Sequence, residues 1–403
     1  MYYEVIPTTT FKKSPLFSDG LLTYSFDQNL APGTIVSIPL GKKTALGIIY
    51  RKTTAPTDQN FIIKSINKIV HPIPLPNHLL KSLTWLSSYY LNPVAKTANL
   101  FLPLGIEKNR RKKSPTMATT TTSKQIPLNS AQKQALSELH KIKTHTKLLH
   151  GITGSGKTNI YLKLAQQIFD SNQSTILLVP EISLTPQLVG RFQEHFGAQI
   201  ISLHSKLTEA ERHLIWQRIH EADSSTPFVV IGPRSALFSP LKNLGLIIID
   251  EAHEPSFYQD TSPRYHALRL ASFMAQTLKI DCLLGTATPR VEDYFLAQKN
   301  HAYVALSKKA KSIASQTKIS LIDLKNRSLF TRNRYFSDAL LQDIENNLKQ
   351  HKQTLLFHNR RGSAPLTLCE HCGYQVLCPN CLLPLTLHSD SYQLICHTCG
   401  HHE

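Results

Sequence analysis

The fold is decided by one octapeptide, Gly151-Ile152-Thr153-Gly154-Ser155-Gly156-Lys157-Thr158, which fits the pattern G-x-x-x-x-G-K-[ST] at every fixed position. The β-prone run Lys147-Leu148-Leu149-His150 precedes it, and residues 159–169 have helical apolar spacing. In this pattern glycines let backbone N–H groups approach phosphate oxygens, and the following helix directs its positive end at them. The stretch predicts a phosphate-binding loop, and the alternative is a glycine-rich connector.

The same pattern predicts roles for the side chains of a nucleotide site. Lys157 is expected to reach the β- and γ-phosphates and Thr158 to ligate Mg²⁺. Four residues of the loop are expected to surround the phosphates: Gly151, Gly154, Ser155 and Gly156. The ligands that follow from this prediction are ATP and Mg²⁺.

A second motif supplies carboxylates, because Asp250 and Glu251 directly follow the apolar run Leu246-Ile247-Ile248-Ile249. A strand that ends in acidic residues presents them at the carboxyl edge of a parallel sheet, where ligands of α/β folds collect. Asp250 is expected to hold Mg²⁺ and Glu251 to polarise the attacking water. The alternative is an acidic N-cap of a helix.

Short apolar runs separated by helical stretches predict an α/β fold with a parallel sheet buried on both faces. Besides the two runs already named, they are Ile176-Leu177-Leu178-Val179, Phe228-Val229-Val230-Ile231 and Cys282-Leu283-Leu284. Cys282 is expected to be a small core residue. A similar run, Thr354-Leu355-Leu356-Phe357, follows a helical stretch and predicts that a second α/β unit begins near residue 316.

The N-terminal third is predicted to be a small β-rich unit followed by a helical stretch. Two β-prone runs, residues 34–38 and 46–50, flank a hairpin loop, and Pro39 is expected to end the first strand. Residues 79–86 have helical spacing. Residues 106–126 contain a basic run and, at 119–122, four consecutive threonines, which is typical of a linker.

Charge favours a polyanionic partner. The chain carries a formal net charge of +18, and residues 1–130 hold 16 basic and 5 acidic side chains. This asymmetry indicates nucleic acid before a membrane surface, although a merely basic, solvated surface is the alternative.

Composition excludes several classes of protein. With 41% hydrophobic and 18% charged residues, the chain of 403 residues is not disordered or collagen-like. No apolar run reaches membrane-spanning length, and the N-terminus lacks the layout of a signal peptide. Seven cysteines without such a signal indicate a cytoplasmic protein, whose paired cysteines more often hold metal than form disulfides.

Three C-x-x-C pairs lie close together near the C-terminus. Their sulfurs belong to Cys369, Cys372, Cys378, Cys381, Cys396 and Cys399. Each turn can place two thiolates on one ion, and two turns complete a tetrahedral zinc site. Six cysteines therefore predict one complete Zn²⁺ site and half of another.

Several stretches resemble a known family. Asp250-Glu251-Ala252-His253 resembles the DEAH-type box of superfamily 2 helicases. Three stretches resemble the DNA-contact and coupling motifs of that superfamily: Val179-Pro180-Glu181-Ile182-Ser183-Leu184-Thr185-Pro186-Gln187, Gly232-Pro233-Arg234-Ser235-Ala236-Leu237-Phe238 and Gly285-Thr286-Ala287-Thr288-Pro289. With His358-Asn359-Arg360-Arg361-Gly362, these motifs resemble those of the bacterial replication-restart helicase family, and the resemblance extends over nearly the whole chain.

The resemblance implies an architecture. It consists of a RecA-like P-loop motor lobe with a parallel sheet, a small β-rich DNA-binding domain before it, and a partial second lobe with a zinc-binding module after it. The implied limits are 1–105 for the N-terminal 3′-end-binding-like domain, 106–126 for the linker, 127–315 for helicase lobe 1, 316–368 for the start of lobe 2 and 369–403 for the zinc module.

The resemblance also implies a function. The implied function is that of an ATP-dependent 3′-to-5′ DNA helicase. Such a helicase recognises forked and single-stranded DNA, initiates primosome assembly and works with other primosome and replication-restart proteins. The segment from Phe257 to His266 matches the family's aromatic-rich loop, whose rings and cations suit single-stranded DNA, although core packing is the alternative for Phe257 or Tyr265. The alternatives for the chain are a non-catalytic fork-binding fragment and another superfamily 2 DNA translocase.

The sequence departs from the family pattern in several places. Leu22-Thr23-Tyr24 stands where the family has Phe-Asp-Tyr, and the linker is too short for a winged-helix domain. By the family pattern, the last four cysteines complete one zinc site, while Cys369 and Cys372 await ligands beyond Glu403 or take local histidines. The family's arginine-bearing motif is missing, so the chain is expected to bind ATP·Mg²⁺ but to hydrolyse it poorly.

Overall fold

The computed structural model describes residues 1–10, 20–55, 62–108, 126–310, 318–357, 371–388 and 392–403. Within these residues the chain forms two compact units, Met1–Ile313 and Ala314–Glu403. The predicted linker lies almost entirely outside the described residues.

The N-terminal part of the first unit is an antiparallel sheet followed by two helices. Its strands are β1 (Tyr2–Pro7), β2 (Leu22–Ser25), β3 (Ile35–Leu40), β4 (Lys43–Thr53) and β5 (Lys68–His71), and its helices are α1 (Asn77–Tyr89) and α2 (Val94–Ala98). The strand order is β2-β1-β4-β3-β5. The predicted hairpin is confirmed, since β3 pairs with β4 up to Leu40 and Lys43.

Pro39 does not end β3, so that prediction was wrong. The strand continues to Leu40, and Pro39 pairs with Thr44 of β4. The ladder between β3 and β5 extends only to Ser37, whose carbonyl accepts from Asn67 N on that side. Two residues on, the missing N–H of Pro39 faces the same side of β3, beyond the end of that ladder, so no ladder hydrogen bond is lost.

The rest of the first unit contains a seven-stranded sheet. Its strands are β6 (Thr146–Gly151), β7 (Ser174–Leu178), β8 (Ile200–Ser202), β9 (Val229–Gly232), β10 (Leu244–Ile249), β13 (Asp281–Thr286) and β14 (Tyr303–Leu306), and a small separate hairpin is formed by β11 (Tyr258–Gln259) and β12 (Tyr265–His266). The strand order of the sheet is β14-β6-β13-β10-β7-β9-β8, and every pairing in it is parallel. The predicted α/β class with a parallel sheet is confirmed.

Helices cover this sheet. They are α3 (Ser130–Lys141), α4 (Lys157–Asp170), α5 (Pro186–Phe196), α6 (Glu209–Glu221), α7 (Ala267–Leu278) and α8 (Val291–Lys299). Short 3₁₀ turns occur at Glu181–Ser183, Gly197–Gln199, Arg234–Phe238 and Pro255–Phe257.

Alternate residues of the central strands enter two separate cores. Ile247 and Ile249 pack in one core, while Leu246 and Ile248 pack in the other. The first core also contains Leu79, Leu83 and Leu86 of α1, so the N-terminal helix is buried together with one face of the parallel sheet. Burial on both faces explains why these strands are uninterrupted apolar runs.

The second unit contains α9 (Asp338–Lys349), a 3₁₀ turn at Arg327–Leu329, and a hairpin of β15 (Thr386–His388) and β16 (Gln393–Ile395). The predicted strand at residues 354–357 was wrong, because these residues form no strand. Leu355 is 91% exposed and Phe357 is 84% exposed, since no described strand lies beside them to pair with. An apolar run needs a neighbouring ladder before it becomes a strand.

No helix within the described ranges combines the length and the apolar character that crossing a membrane requires.

Candidate functional site

The glycine-rich loop between β6 and α4 has the backbone that its glycines predict. Gly154 and Gly156 have φ angles of +78° and +81°, in the left-handed region that glycine tolerates. The amide of Gln132, which is buried, donates to the carbonyls of Ser155 (3.1 Å) and Gly156 (3.3 Å). Gln132 therefore fixes the backbone of the loop. A Cβ at position 156 would lie 2.3 Å from Gln132 Nε2.

The loop presents unsatisfied polar groups of the kind that a phosphate would engage. No side chain caps the N-terminus of α4, and the buried hydroxyl of Ser155 has no hydrogen-bond partner. Lys157 is buried, with its ammonium donating to the carbonyl of Gly151 at 2.9 Å, and Thr158 is the next residue of α4. Free N–H groups at a helix N-terminus, a free hydroxyl and a cation fit an anionic ligand.

Asp250 and Glu251 lie at the carboxyl end of β10, as the sequence predicted for the ends of a parallel strand. The hydroxyl of Tyr161 on α4 donates to Asp250 Oδ1 at 2.9 Å. Burial raises the pKa of Asp250, with the nearby charge of Glu251 adding to the effect. Glu251 has a φ of +48°, an uncommon conformation for a residue with a Cβ and one that clusters at functional sites.

Hydrogen bonds connect the acidic box to the segment that follows β13. His253 Nδ1 lies 2.8 Å from Thr286 Oγ1 and 3.5 Å from a carboxylate oxygen of Glu251. Arg290 donates to the carbonyls of His253 and Glu254 and contacts His266 Nε2 at 2.8 Å. Burial and the charges of Arg290 and Arg269 lower the pKa of His266 to about 4, which keeps it neutral.

A cleft of about 410 Å³ is lined by the loop after β7, the loop after β9, the β11–β12 hairpin and the segment after α2. Its cations are Arg212 and Arg234, and Arg234 donates to the carbonyls of Ser256 and Tyr258. Phe257 and Tyr265 are each 1% exposed, so their rings pack in the core and leave no open face for a base. The core-packing alternative therefore holds for both.

The N-terminal part holds the β11–β12 hairpin in place. Asn92, which is buried, donates to the carbonyl of Arg264 (2.7 Å) and accepts from its N–H (3.0 Å). The hydroxyl of Tyr90 accepts from the N–H of His266 at 3.2 Å. Trp85 of α1 stacks on Phe273 of α7 with ring centroids 4.6 Å apart.

Asn92→Ala is expected to lower the free energy of unfolding of the first unit by about 1–3 kcal/mol, because it removes the two hydrogen bonds that the buried Asn92 amide makes with the backbone of Arg264, each worth about 0.5–1.5 kcal/mol. Urea unfolding of the whole chain measures this loss. The matched control is Asn99→Ala, which removes an exposed amide that donates to Thr8 O and should change stability by less than about 0.5 kcal/mol. Equal effects of the two variants would contradict the expectation.

Four cysteines converge in the second unit. The sulfurs of Cys378, Cys381, Cys396 and Cys399 all lie within 4.8 Å of one another. Three of the pairs, 378–399, 381–396 and 378–381, are separated by 3.5, 3.5 and 3.6 Å. Zn–S bonds of about 2.3 Å in a tetrahedron give sulfur–sulfur distances of about 3.8 Å, close to those observed.

The two cysteine turns share one backbone design. Leu382 N donates to Cys378 O, and Gly400 N donates to Cys396 O, each at 2.9 Å. N–H groups of Cys399 and Thr398 lower the pKa of Cys396 to about 6, whereas hydrogen bonds with the neighbouring sulfurs of Cys399 and Cys396 raise the pKa of Cys381. Four thiolates this close repel one another unless a cation lies between them, so the cluster fits a zinc ion.

The remaining metal-ligand candidates are not gathered with these four. Cys372 is exposed and outside the cluster, and Cys369 lies outside the described residues, as does the stretch 358–362. Cys282 is buried in β13, where burial raises the pKa of its thiol to about 12, so the prediction of a core cysteine is confirmed.

Sequence reasoning missed three residues that shape the site: Gln132, Tyr161 and Asn92. For Gln132 there was a signal, because Asn129-x-x-Gln132 is a capping-box pattern, and both of its hydrogen bonds form at the start of α3. Tyr161 and Asn92 belong to no sequence motif, and their roles become visible only from the packing of distant segments.

Comparison with known proteins covers both ends of the chain and its centre. Residues 13–103 match the model of the PriA 3′ DNA-binding domain (3′BD), and residues 378–403 match the PriA DNA helicase Cys-rich region (CRR) domain. Residues 125–291 match the model described as type III restriction enzyme, res subunit. The cysteine-rich module is thus a zinc-binding module of a known kind.

Alignments with individual proteins agree with these domain matches. The chain is similar to replication restart protein PriA of Bacillus subtilis (39% identity over 69% of this chain), of Rickettsia felis (35% over 95%) and of Chlamydia pneumoniae (32% over 99%). The alignments cover 35%, 58% and 63% of those proteins, so the chain spans between a third and two thirds of their length. With two PriA-specific domain models matched and these identities over most of its length, the chain belongs to the PriA family of replication restart proteins.

Proposed function

We propose that the chain is the nucleotide- and fork-binding part of an ATP-dependent 3′-to-5′ DNA helicase of replication restart, which initiates primosome assembly together with other primosome proteins. The observation that carries the proposal is the meeting of two motifs: the P-loop helix and the acidic box are joined by the hydrogen bond between Tyr161 and Asp250. Residues of two of the DNA-contact motifs line the cleft that contains Arg212 and Arg234, which supports DNA as a second ligand.

In this proposal the residues of the loop bind the triphosphate of ATP. Gly151, Gly154, Ser155 and Gly156 supply backbone N–H groups and a hydroxyl, and Lys157 leaves the carbonyl of Gly151 to pair with phosphate oxygens. Thr158 and Asp250 would hold Mg²⁺, which neutralises charge on the phosphates. Glu251 accepts a proton from the attacking water and orients it.

The family name and the charge support DNA as the partner. Residues 1–105 hold 10 basic and 4 acidic side chains, and the 3′ DNA-binding model matches residues 13–103. Thr23, at the position of the family's aspartate, pairs with Glu4 across β1 and β2, while the hydroxyl of Tyr24 donates to Pro39 O. We therefore expect the N-terminal region to bind DNA through the phosphates of the DNA rather than through an acidic side chain at position 23.

Single-turnover hydrolysis of ATP tests the proposal. Wild-type chain and Glu251→Gln are each mixed with ATP, Mg²⁺ and forked DNA that carries a single-stranded arm. The wild type should hydrolyse ATP faster than the variant, and DNA should increase the difference. Binding of the fork should weaken steeply with salt, by roughly 0.9 log units per log unit of salt for each phosphate neutralised.

Two results would overturn the proposal in different ways. Fork binding without any hydrolysis above the Glu251→Gln background would identify a non-catalytic fork-binding module. Hydrolysis stimulated equally by unbranched duplex would identify another DNA translocase rather than a fork-recognising helicase.

A further inference from the structure

Tyr161 is a buried polar residue that the nucleotide motifs do not assign. It lies on α4 four residues after Lys157, so both side chains are on the same face of the helix, the one that turns toward β10. Its side chain is 1% exposed. The Tyr161 hydroxyl donates to Asp250 Oδ1 at 2.9 Å.

Gly285 provides the space in which this hydrogen bond forms. A Cβ at position 285 would lie 1.7 Å from the Tyr161 hydroxyl oxygen and 2.7 Å from the ring carbon that carries it. The carbonyl of Gly285 also accepts from the N–H of Ala252 at 3.0 Å, which fixes the backbone just after the acidic pair. The same glycine therefore makes room for Tyr161 and anchors the chain that carries Asp250.

We propose that Tyr161 is a positioning residue that orients the Asp250 carboxylate for a divalent cation, and that Gly285 is required because any side chain there would displace its hydroxyl. The proposal rests on the proposed function, in which Asp250 takes part in holding Mg²⁺. One carboxylate oxygen is fixed by Tyr161, so the plane of the carboxylate is set before any ion arrives. Partners of this kind, which hold a metal ligand in place, typically contribute 10–100-fold to metal affinity.

The alternative is that Tyr161 only fills the core, where its ring packs with Leu177 and Ile248. A packing role and a positioning role predict different results for Tyr161→Phe, which keeps the ring and removes one oxygen. If the ring alone matters, metal dependence is unchanged. If the hydroxyl orients Asp250, metal dependence changes while nucleotide binding without metal stays the same.

The experiment is a titration of the whole chain with a fluorescent ADP analogue at Mg²⁺ concentrations from zero to saturation. Tyr161→Phe should raise the Mg²⁺ concentration at half effect by about tenfold or more. Its affinity for the analogue in EDTA should match that of the wild type. The matched control is Tyr303→Phe, which removes a hydroxyl 2.9 Å from His150 Nδ1 outside the nucleotide loop and should leave the Mg²⁺ midpoint unchanged.

Two further variants separate failure of this inference from failure of the proposed function. Asp250→Asn should remove the Mg²⁺ dependence; if the wild type itself binds the analogue without any response to Mg²⁺, the proposed function fails. If Asp250→Asn removes the dependence while Tyr161→Phe keeps the wild-type midpoint, the positioning role is overturned and the proposed function stands. Gly285→Ala, which keeps the tyrosine but displaces its hydroxyl, should raise the midpoint as Tyr161→Phe does, and an unchanged midpoint would also overturn the inference.

Discussion

Replacing Cys396 by alanine is expected to reduce the zinc content of the purified chain from close to one ion per molecule to near zero. Four sulfurs already lie at distances that fit one tetrahedral ion, and four thiolates close a structural site without an open position. The core around them is small, consisting of Cys378, Leu385 and Cys396, with three partly buried neighbours. Zinc binding worth about 10–16 kcal/mol in small zinc modules therefore supplies most of the stability there, and loss of the ion should unfold residues 371–403.

Elemental analysis and limited proteolysis measure the two parts of this prediction. Cys372→Ala is the matched control, because Cys372 is exposed and lies outside the cluster, so this variant should keep its zinc and its resistance to protease. Wild-type chain with no zinc would overturn the metal assignment. Two firmly bound ions would show that local histidines complete a second site with Cys369 and Cys372.

Lys157→Ala is expected to weaken nucleotide binding by about 100-fold, since a charge-assisted hydrogen bond to phosphate is worth roughly 1.5–3 kcal/mol and the buried ammonium is also the cation of the loop. In the wild type the ammonium of Lys157 donates to the carbonyl of Gly151, within the loop that a phosphate would occupy. Fluorescence titration with an ATP analogue in Mg²⁺ measures the affinity.

Lys163→Ala is the matched control, because it removes the same charge from the same helix, α4, away from the loop. This variant should bind the analogue with wild-type affinity. An unchanged affinity for Lys157→Ala, with unfolding as cooperative as that of the wild type, would contradict the assignment of the loop to nucleotide phosphates.

The parts of the site that the sequence predicted depend on short-range rules. The loop of residues 151–158 needs positive φ angles, which its glycines allow, and the acidic pair follows an apolar run because parallel strands present their carboxyl ends at one edge. The spacing of each C-x-x-C pair fixes a turn whatever surrounds it. These features were therefore readable without any knowledge of the rest of the chain.

Other predictions failed where the outcome depends on neighbours. Pro39 remained within β3 because the strand beside it stops two residues earlier, and residues 354–357 formed no strand because no described strand lies next to them. Phe257 and Tyr265 were expected as candidates for stacking on DNA bases, but the packing of the hairpin buries both rings. Sequence periodicity describes one segment at a time, whereas pairing and burial are properties of two or more segments.

The sequence by itself determined the phosphate loop, the acidic box, the zinc turns and the parallel α/β class, because each is set by residue types at fixed spacing within a few positions. Only the tertiary structure decided that α1 is buried with one face of the parallel sheet, that Asn92 holds the hairpin 172 residues away, and that Tyr161 meets Asp250 in the space left by Gly285. Such contacts form because burying apolar surface brings distant segments together, and the polar groups trapped between them must then find partners that no local pattern specifies.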